Sequence, residues 1–462
     1  MTPTPGRLLL VVPTRGRLAE AQRVVLGFDR VAQQHGHAIE FAVVDDAEPT
    51  TAFAWDPSLR GRLRHYDVGA RTALVDALAA AGCDRALLEF ALADPWGFGL
   101  TPGANRNVVQ LLTLGRRVLT VDDDIEPRLA RPPQADCQRG GEPEVRRDDA
   151  SEFWFFRDAA EGHALIDDDA DPIAAITDGF DLDPGAGAPA VCASWLGMSG
   201  DGGSPNGLYW LVQHGPSRER LMVDYDAMRA SGRLMRSVTR PTVTFGAAWT
   251  PAVVAYDHQR LLPPFLPMLR GQGLVWGATV SVGGAWSLVR MPGALEHRMD
   301  QPRATDPELA LRSIASMATA AFVQLALGRA AEPSAAIEPS TALANAAARL
   351  REISRDTATF TAFARNLVTA RCKALVGNLD ALRERHRGLP ATWAADVAAA
   401  RVALLWQRDD AAAWVPYDLA DRDEPGELLR RVIQRFAELL LAWPQIVAAA
   451  RASTLESLGT PV

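Results

Sequence analysis

Arg117-Val118-Leu119-Thr120-Val121-Asp122-Asp123-Asp124-Ile125 is a short apolar run that stops on three adjacent carboxylates. Val118 to Val121 has the length and β-branched content of a buried strand. Side chains alternate along a strand, so the pattern projects Asp122 and Asp124 to one side and Asp123 to the other. Like charges facing one point at a sheet edge repel and lose hydration, and a bound divalent cation is the natural compensation. Mn2+ or Mg2+ suits oxygen ligands and keeps positions open for phosphate oxygens. Asp-x-Asp spacing alone decides nothing, since it recurs at Asp167/Asp169, Asp169/Asp171, Asp181/Asp183, Asp224/Asp226 and Asp421/Asp423. The preceding strand separates the first case from the rest. A solvated acidic turn is its competing reading, and for the clusters around Asp167 to Asp171 and Asp178 to Asp183, flanked by prolines and glycines, it is the preferred one.

Working outward, Leu8 to Val12 is a continuous apolar run stopped by Pro13 and followed by Thr14-Arg15-Gly16-Arg17, then a helical pattern through Leu26. Ile39 to Val44 is a second such run, ending in Asp45-Asp46. Apolar strands separated by helical segments predict an α/β, Rossmann-like, mostly parallel sheet with helices on both faces. Ligands of such sheets bind beyond the carboxyl ends of the strands, where Arg15, Asp45, Asp46 and the triple aspartate converge. From about Arg131 to Gly293 the chain is rich in Gly, Pro, Trp and Asp, and short apolar stretches such as Thr242 to Trp249 and Leu274 to Val282 predict loops and short strands completing the sheet.

Beyond about Asp306 the composition shifts to Ala, Leu, Arg and Glu. Helical spacing of Phe360, Phe363, Leu367, Ala370 and Ala374, and of Leu429, Val432, Ile433, Phe436, Leu440 and Trp443, predicts an α-helical unit over 304–462, with a linker at Glu332 to Pro339. Residues 1–303 form the α/β unit in this reading, divided into 1–130 and 131–303.

Composition limits the function classes. A chain of 462 residues with 48% hydrophobic and 23% charged residues can bury a large core. Its formal charge of -8 argues against nucleic acid as the main partner. Lys373 is the only lysine, which excludes a lysine-containing phosphate loop and makes Schiff-base chemistry improbable. Cys83, Cys137, Cys192 and Cys372 are widely spaced and imply neither zinc cluster nor disulfide framework. The N-terminus lacks the pattern of a signal peptide, and Ile314 to Leu327, the most apolar stretch, predicts a buried helix rather than a membrane span. A cytoplasmic protein is expected.

The ordered segments Val11-Val12-Pro13-Thr14-Arg15-Gly16-Arg17, Val43-Val44-Asp45-Asp46, Gly103-Ala104-Asn105-Arg106-Asn107 and Leu119-Thr120-Val121-Asp122-Asp123-Asp124-Ile125 resemble those of GT-A fold glycosyltransferases, particularly the family 2-like group. The resemblance covers roughly the first 300 residues. It implies a hexosyltransferase-like enzyme that takes a nucleotide-diphosphate sugar, uses Mn2+ or Mg2+, and serves an acceptor that is a small molecule, glycan or peptide. Pro13, Thr14 and Arg15 would line the nucleotide pocket, and Asp45 or Asp46 would hydrogen-bond base or ribose. Arg106 and Asn107 would lie at a helix N-terminus that favours phosphate. Asp122 and Asp123 would sit by the donor, with Asp124, Asp122 and His297 as metal ligands and Arg303 at the diphosphate. Trp249 and Trp276 could offer flat faces to the acceptor, although core packing is the preferred reading for each.

Arg260 to Arg270 resembles the acceptor-side segment that in similar sequences leads into a Glu-Asp pair, and the resemblance breaks just after it, at Gly271 to Gly277. Here Gln272 and Gly273 stand at the usual base position, and glutamine cannot accept a proton from the acceptor hydroxyl. Three explanations follow: transfer with retention and no protein base, a base from elsewhere such as Asp257, or a catalytically silent relative that binds a nucleotide sugar or recruits a partner. A nucleotidyltransferase is a further alternative, but Pro13 to Arg17 has one glycine and no lysine where those enzymes carry a glycine-rich loop.

Overall fold

The computed structural model describes residues 8–48, 52–133, 135, 143–147, 151–201, 208–246, 250–298, 314, 316–328, 332–385, 388–410, 414–453 and 455–462. Four parallel strands organise the N-terminal half: β1 (Leu8–Thr14), β2 (Ile39–Asp45), β3 (Leu63–Tyr66) and β4 (Arg117–Val121), in the order β3-β2-β1-β4. β1, β2 and β4 are largely apolar on both faces because both are covered, whereas β3 carries Arg64 and His65 between Leu63 and Tyr66. Leu9, Val11, Ala42, Val44 and Val118 enter one core, whereas Leu10, Val12, Phe41, Val43, Leu119 and Val121 enter the other. Helix α1 (Leu18–His35) packs on the second face through Leu18, Val24, Val25 and Phe28. Helices α2 (Val68–Ala80), α3 (Arg85–Leu92) and α4 (Pro102–Leu112) cover the first.

Past β4 the sheet becomes mixed. Strand Val253–Asp257 runs antiparallel to β4, followed by Val191–Asp201, Ser287–His297, Thr242–Thr244 and Glu144–Arg146. A further strand, β5 (Ile125–Ala130), leaves β4 through a turn and pairs antiparallel with Ser287–His297, His297 opposite Ile125. The architecture is thus α/β with a mixed sheet and a helical C-terminal region. Leu274 to Val282 differs from expectation. It lies within a helix, Gln272–Gly283, that is apolar all round because it is buried between the sheet and other helices. A short apolar run leaves strand and buried helix indistinguishable by periodicity.

The C-terminal helices Pro339–Ser354, Thr357–Arg385, Ala391–Asp409 and Pro425–Ala452 share the core on the α4 face. Leu429, Val432, Ile433, Phe436, Leu440 and Trp443 are all buried, as their spacing predicts. In Thr357–Arg385 the buried stripe is instead Phe360, Ala364, Val368 and Cys372, with Phe363 and Leu367 beside it. The contact with the sheet layer is polar as well as apolar. Trp443 Nε1 donates to Leu262 O at 2.9 Å, and Arg451 donates to Gln259 O at 2.8 Å. Thr460–Pro461 then returns to pair with β3. The expected boundary near residue 304 therefore separates two compositions that share one core. No helix among the described residues is long and apolar enough to cross a membrane.

Segment Leu266 to Leu269 fixes the site-side end of α4. Ala104 N donates to Pro267 O and Leu269 N to Leu100 O, both at 2.8 Å. This approach requires Gly103, since a Cβ there would lie 1.8 Å from Leu266 O. Gly103→Ala should lower unfolding free energy by about 3 kcal/mol, the upper range for forced overpacking. Urea denaturation checks this, and an unchanged midpoint would show that the segment yields freely.

Candidate functional site

Register builds the site. Val11 pairs with Thr120 and Thr14 with Asp45, which sets the ends of β4, β1 and β2 side by side at the carboxyl edge. Thr14 Oγ1 donates to Asp123 Oδ2 at 2.5 Å. The three aspartates do not continue β4. Ile125 N donates to Asp122 O at 3.2 Å, closing a turn. Asp122 accepts from Arg106 at 2.6 Å, Asp123 from Arg17 at 2.8 Å, and Asp124 from Arg17 at 3.5 Å. Asp122 and Asp124 both interact with His297, whereas Asp123 turns to Thr14.

His297 arrives from the other side. Its strand pairs with β5, Arg298 N donates to Asp124 O at 2.8 Å, and the imidazole Nε2 lies 3.4 Å from Asp124 Oδ1. The cluster separates the carboxylates electrostatically. Burial, then the neighbouring Asp124 and Asp123 charges, push Asp122 up to about 7 against the pull of Arg106 and His297. Burial pushes Asp123 up to about 6 despite Thr14 and Arg17. Burial also acts on Asp124, but His297 and Arg17 outweigh it and hold this carboxyl below its ordinary value.

Around this centre, Asp45 Oδ1 accepts from Gly16 N at 2.7 Å and Ala47 N at 3.1 Å, which pins the loop after β1. Gly16, at φ +69°, allows that loop to turn. Asp46 accepts from Thr101 at 2.8 Å through Oδ2, while its buried Oδ1 has no hydrogen-bond partner. Burial raises its pKa, opposed by the nearby buried Arg71. Pro13 lies within β1, and exposed Arg15 donates to Gly99 O.

Several expected members take other places. Asn107 is fully buried: its amide donates to Ala91 O and Phe265 O at 3.0 Å and accepts from Phe265 N at 2.7 Å, so it clamps backbone in the core. The α4 N-terminus is covered by Leu266–Pro267, whose carbonyl at Pro267 takes Ala104 N, rather than left open to a phosphate. Trp276 is fully buried, donates to Pro263 O at 3.0 Å and stacks on Phe265, so core packing describes it. Asp257 pairs in register with Arg117, four residues before Val121 and so about 13 Å from the triple-aspartate edge. It holds Arg260 and Gln259 N there. Gln272 is a buried residue opening the Gln272–Gly283 helix. Trp249 and Arg303 lie outside the described residues.

Arg17 and Thr101 were quoted or passed over without a role, and both touch the site carboxylates. Arg17 stands immediately before α1 in the loop after β1, the position from which it reaches two strand-end carboxylates. That placement is the signal that could have found it.

The cation expected from charge repulsion meets a different arrangement. Arginines already match Asp122 and Asp123. Among the described residues no group of three or more His, Cys, Asp or Glu side chains is placed to hold a metal. Mg2+ and Mn2+, however, commonly take one or two side chains and complete their shell with water and phosphate oxygens. Asp124 and His297, facing each other at 3.4 Å, fit that smaller requirement. No protein-family model matches the chain, and a search among curated proteins gives no match.

Asp122 binds its proton more tightly folded than unfolded, so between its ordinary value and about 7 the native state holds more protons and rising pH destabilises it. Asp124, depressed, contributes in the opposite sense but only near and below its ordinary value. In chelator-treated protein, Asp122→Asn should therefore flatten the fall in stability from pH 5 to 8. The expected difference is on the order of 1 kcal/mol, discounted for a side chain 34% open to solvent. Urea denaturation across that range measures it; identical slopes would place Asp122 at its ordinary value.

Proposed function

We propose that the chain is a glycosyltransferase of the GT-A type, metal-dependent, transferring a hexose-like sugar from a nucleotide-diphosphate sugar to an acceptor. The observation that carries the reading is the convergence, at one carboxyl edge of a parallel β3-β2-β1-β4 sheet, of the Thr14–Arg17 loop, Asp45 and Asp46, and the Asp122–Asp124 turn with His297. This is the edge where open α/β sheets bind ligands.

In this reading Asp45 holds the loop that floors the nucleotide pocket. Asp46, whose buried Oδ1 has no hydrogen-bond partner among the described residues, serves base or ribose. Arg17, 42% exposed, and Arg15 offer guanidinium groups to the diphosphate. Arg106 neutralises Asp122 and keeps the turn in place. Asp124 and His297 hold Mn2+ or Mg2+, which supplies positive charge to the departing diphosphate. The chain positions the anomeric carbon and stabilises an oxocarbenium-like transition state.

A second reading rests on the acceptor side. Gln272 occupies the usual base position and Asp257 lies at the opposite edge, which supports either transfer with retention or a catalytically silent relative that binds donor only. One experiment separates these readings. Nucleotide-diphosphate sugars are titrated into the protein with Mn2+, and free nucleoside diphosphate is followed with and without candidate acceptors. Release supports the enzyme; saturable binding without release supports the silent relative. Asp124→Asn should weaken donor binding at least about tenfold and remove its metal dependence, the loss expected for one charged ligand. Unaltered, metal-dependent binding by that variant would overturn the site.

A further inference from the structure

Away from the triple-aspartate edge, two side chains in contact carry three buried hydrogen-bond donors that have no acceptor among the described residues. Arg218 lies on the short helix Gly215–Met222 and is 6% exposed; its two terminal guanidinium nitrogens are buried and have no hydrogen-bond partner. The guanidinium carbon sits 5.2 Å from the centre of the Trp393 ring. Trp393 is 2% exposed, and its indole Nε1 is likewise buried and without a partner.

Trp393 occupies the third position of the 19-residue helix Ala391–Asp409. Pro390 stands at its N-cap, no side chain caps it, and no acidic residue occupies the first turn. Its first N–H groups and the positive end of its dipole are thus offset by no carboxylate of the helix's own cap or first turn. One turn on, Asp396 is already engaged: it accepts from Tyr225 at 2.8 Å and pairs with Arg229 at 2.8 Å. Burial alone lowers the pKa of Arg218, with no carboxylate contributing. A buried cation without a counter-charge is costly, and so are buried donors without acceptors. A planar guanidinium fork, an indole N–H and a helix N-terminus are the donor set that an oxyanion satisfies.

We propose that Arg218, Trp393 and the N-terminus of the Ala391–Asp409 helix form a binding site for a small oxyanion, a phosphate or carboxylate group, distinct from the donor edge. Both of the residues that bear it belong to segments of unrelated sequence position, the Gly215–Met222 helix and the C-terminal helices, so a bound anion ties the two together. Ligand binding there stabilises the docking of the C-terminal layer.

The test uses the full chain. Inorganic phosphate and acetate are titrated separately by calorimetry at constant ionic strength, with thermal unfolding in parallel. Wild type should bind at least one probe saturably, with a rise in Tm. A preference for one probe identifies the chemical class. Arg218→Met should lose at least 100-fold in affinity, and its own Tm without added anion should equal or exceed that of wild type. Trp393→Phe keeps the ring, removes one donor and should weaken binding about tenfold. If neither probe binds, or Arg218→Met binds as wild type does, the proposal is overturned; the latter result would place the anion at the donor edge. Should Arg218→Met fail to fold, unchanged affinity in Trp393→Phe overturns it equally.

Discussion

The register that places Asp123 against Thr14 organises the rest of the site. A one-residue slip of β4 against β1 would turn Leu119 and Val121 out of their core and Val118 out of the other, so packing on both faces makes that register costly to change. With it fixed, the turn after Val121 can point its carboxylates only toward the groups surrounding it. Arg106 on α4, Arg17 before α1 and His297 on the long neighbouring strand meet them. Each comes from a different element, and the polar cluster therefore reports the assembly of the whole N-terminal half.

Much of this half was legible in the sequence. Leu8 to Val12, Ile39 to Val44 and Val118 to Val121 are largely apolar on consecutive residues, the pattern of a strand covered on both faces, and each stops on polar residues at one edge. The arginine partners of the aspartates were not legible, because Arg106 and Arg17 reach them from α4 and from the loop before α1, and a turn closed by Ile125 N on Asp122 O ends the strand there. Asn107 and Asp257 take places that their residue type does not announce, for a related reason, whereas Trp276 packs in the core as its preferred reading had it. Residue type and linear spacing carry no information about which backbone carbonyls a side chain will meet, or about the antiparallel course that sends Asp257 to the far edge. The stripe of the Pro425–Ala452 helix was read directly, since its apolar arc is wide and regular.

The helical C-terminal region bears on the site through packing. Arg422 donates to Gly97 O at 2.9 Å and lies over Phe98, while Arg15 reaches Gly99 O in the same loop. Thr319 is held by Asp418 at the start of the helix that packs on Gln272–Gly283. Composition divides the chain near residue 304, yet physical contact joins both parts around one core, with Trp443 and Arg451 bonded to the backbone that follows the Asp257 strand.

The central claim is that Asp124 and His297 together hold a divalent cation that a nucleoside diphosphate shares. Pulsed electron paramagnetic resonance of Mn2+ bound to the protein with a nucleoside diphosphate tests it directly. The account predicts phosphorus couplings together with an imidazole nitrogen coupling that disappears in His297→Ala. Phosphorus couplings with no nitrogen coupling, or a nitrogen coupling that survives that substitution, would contradict it.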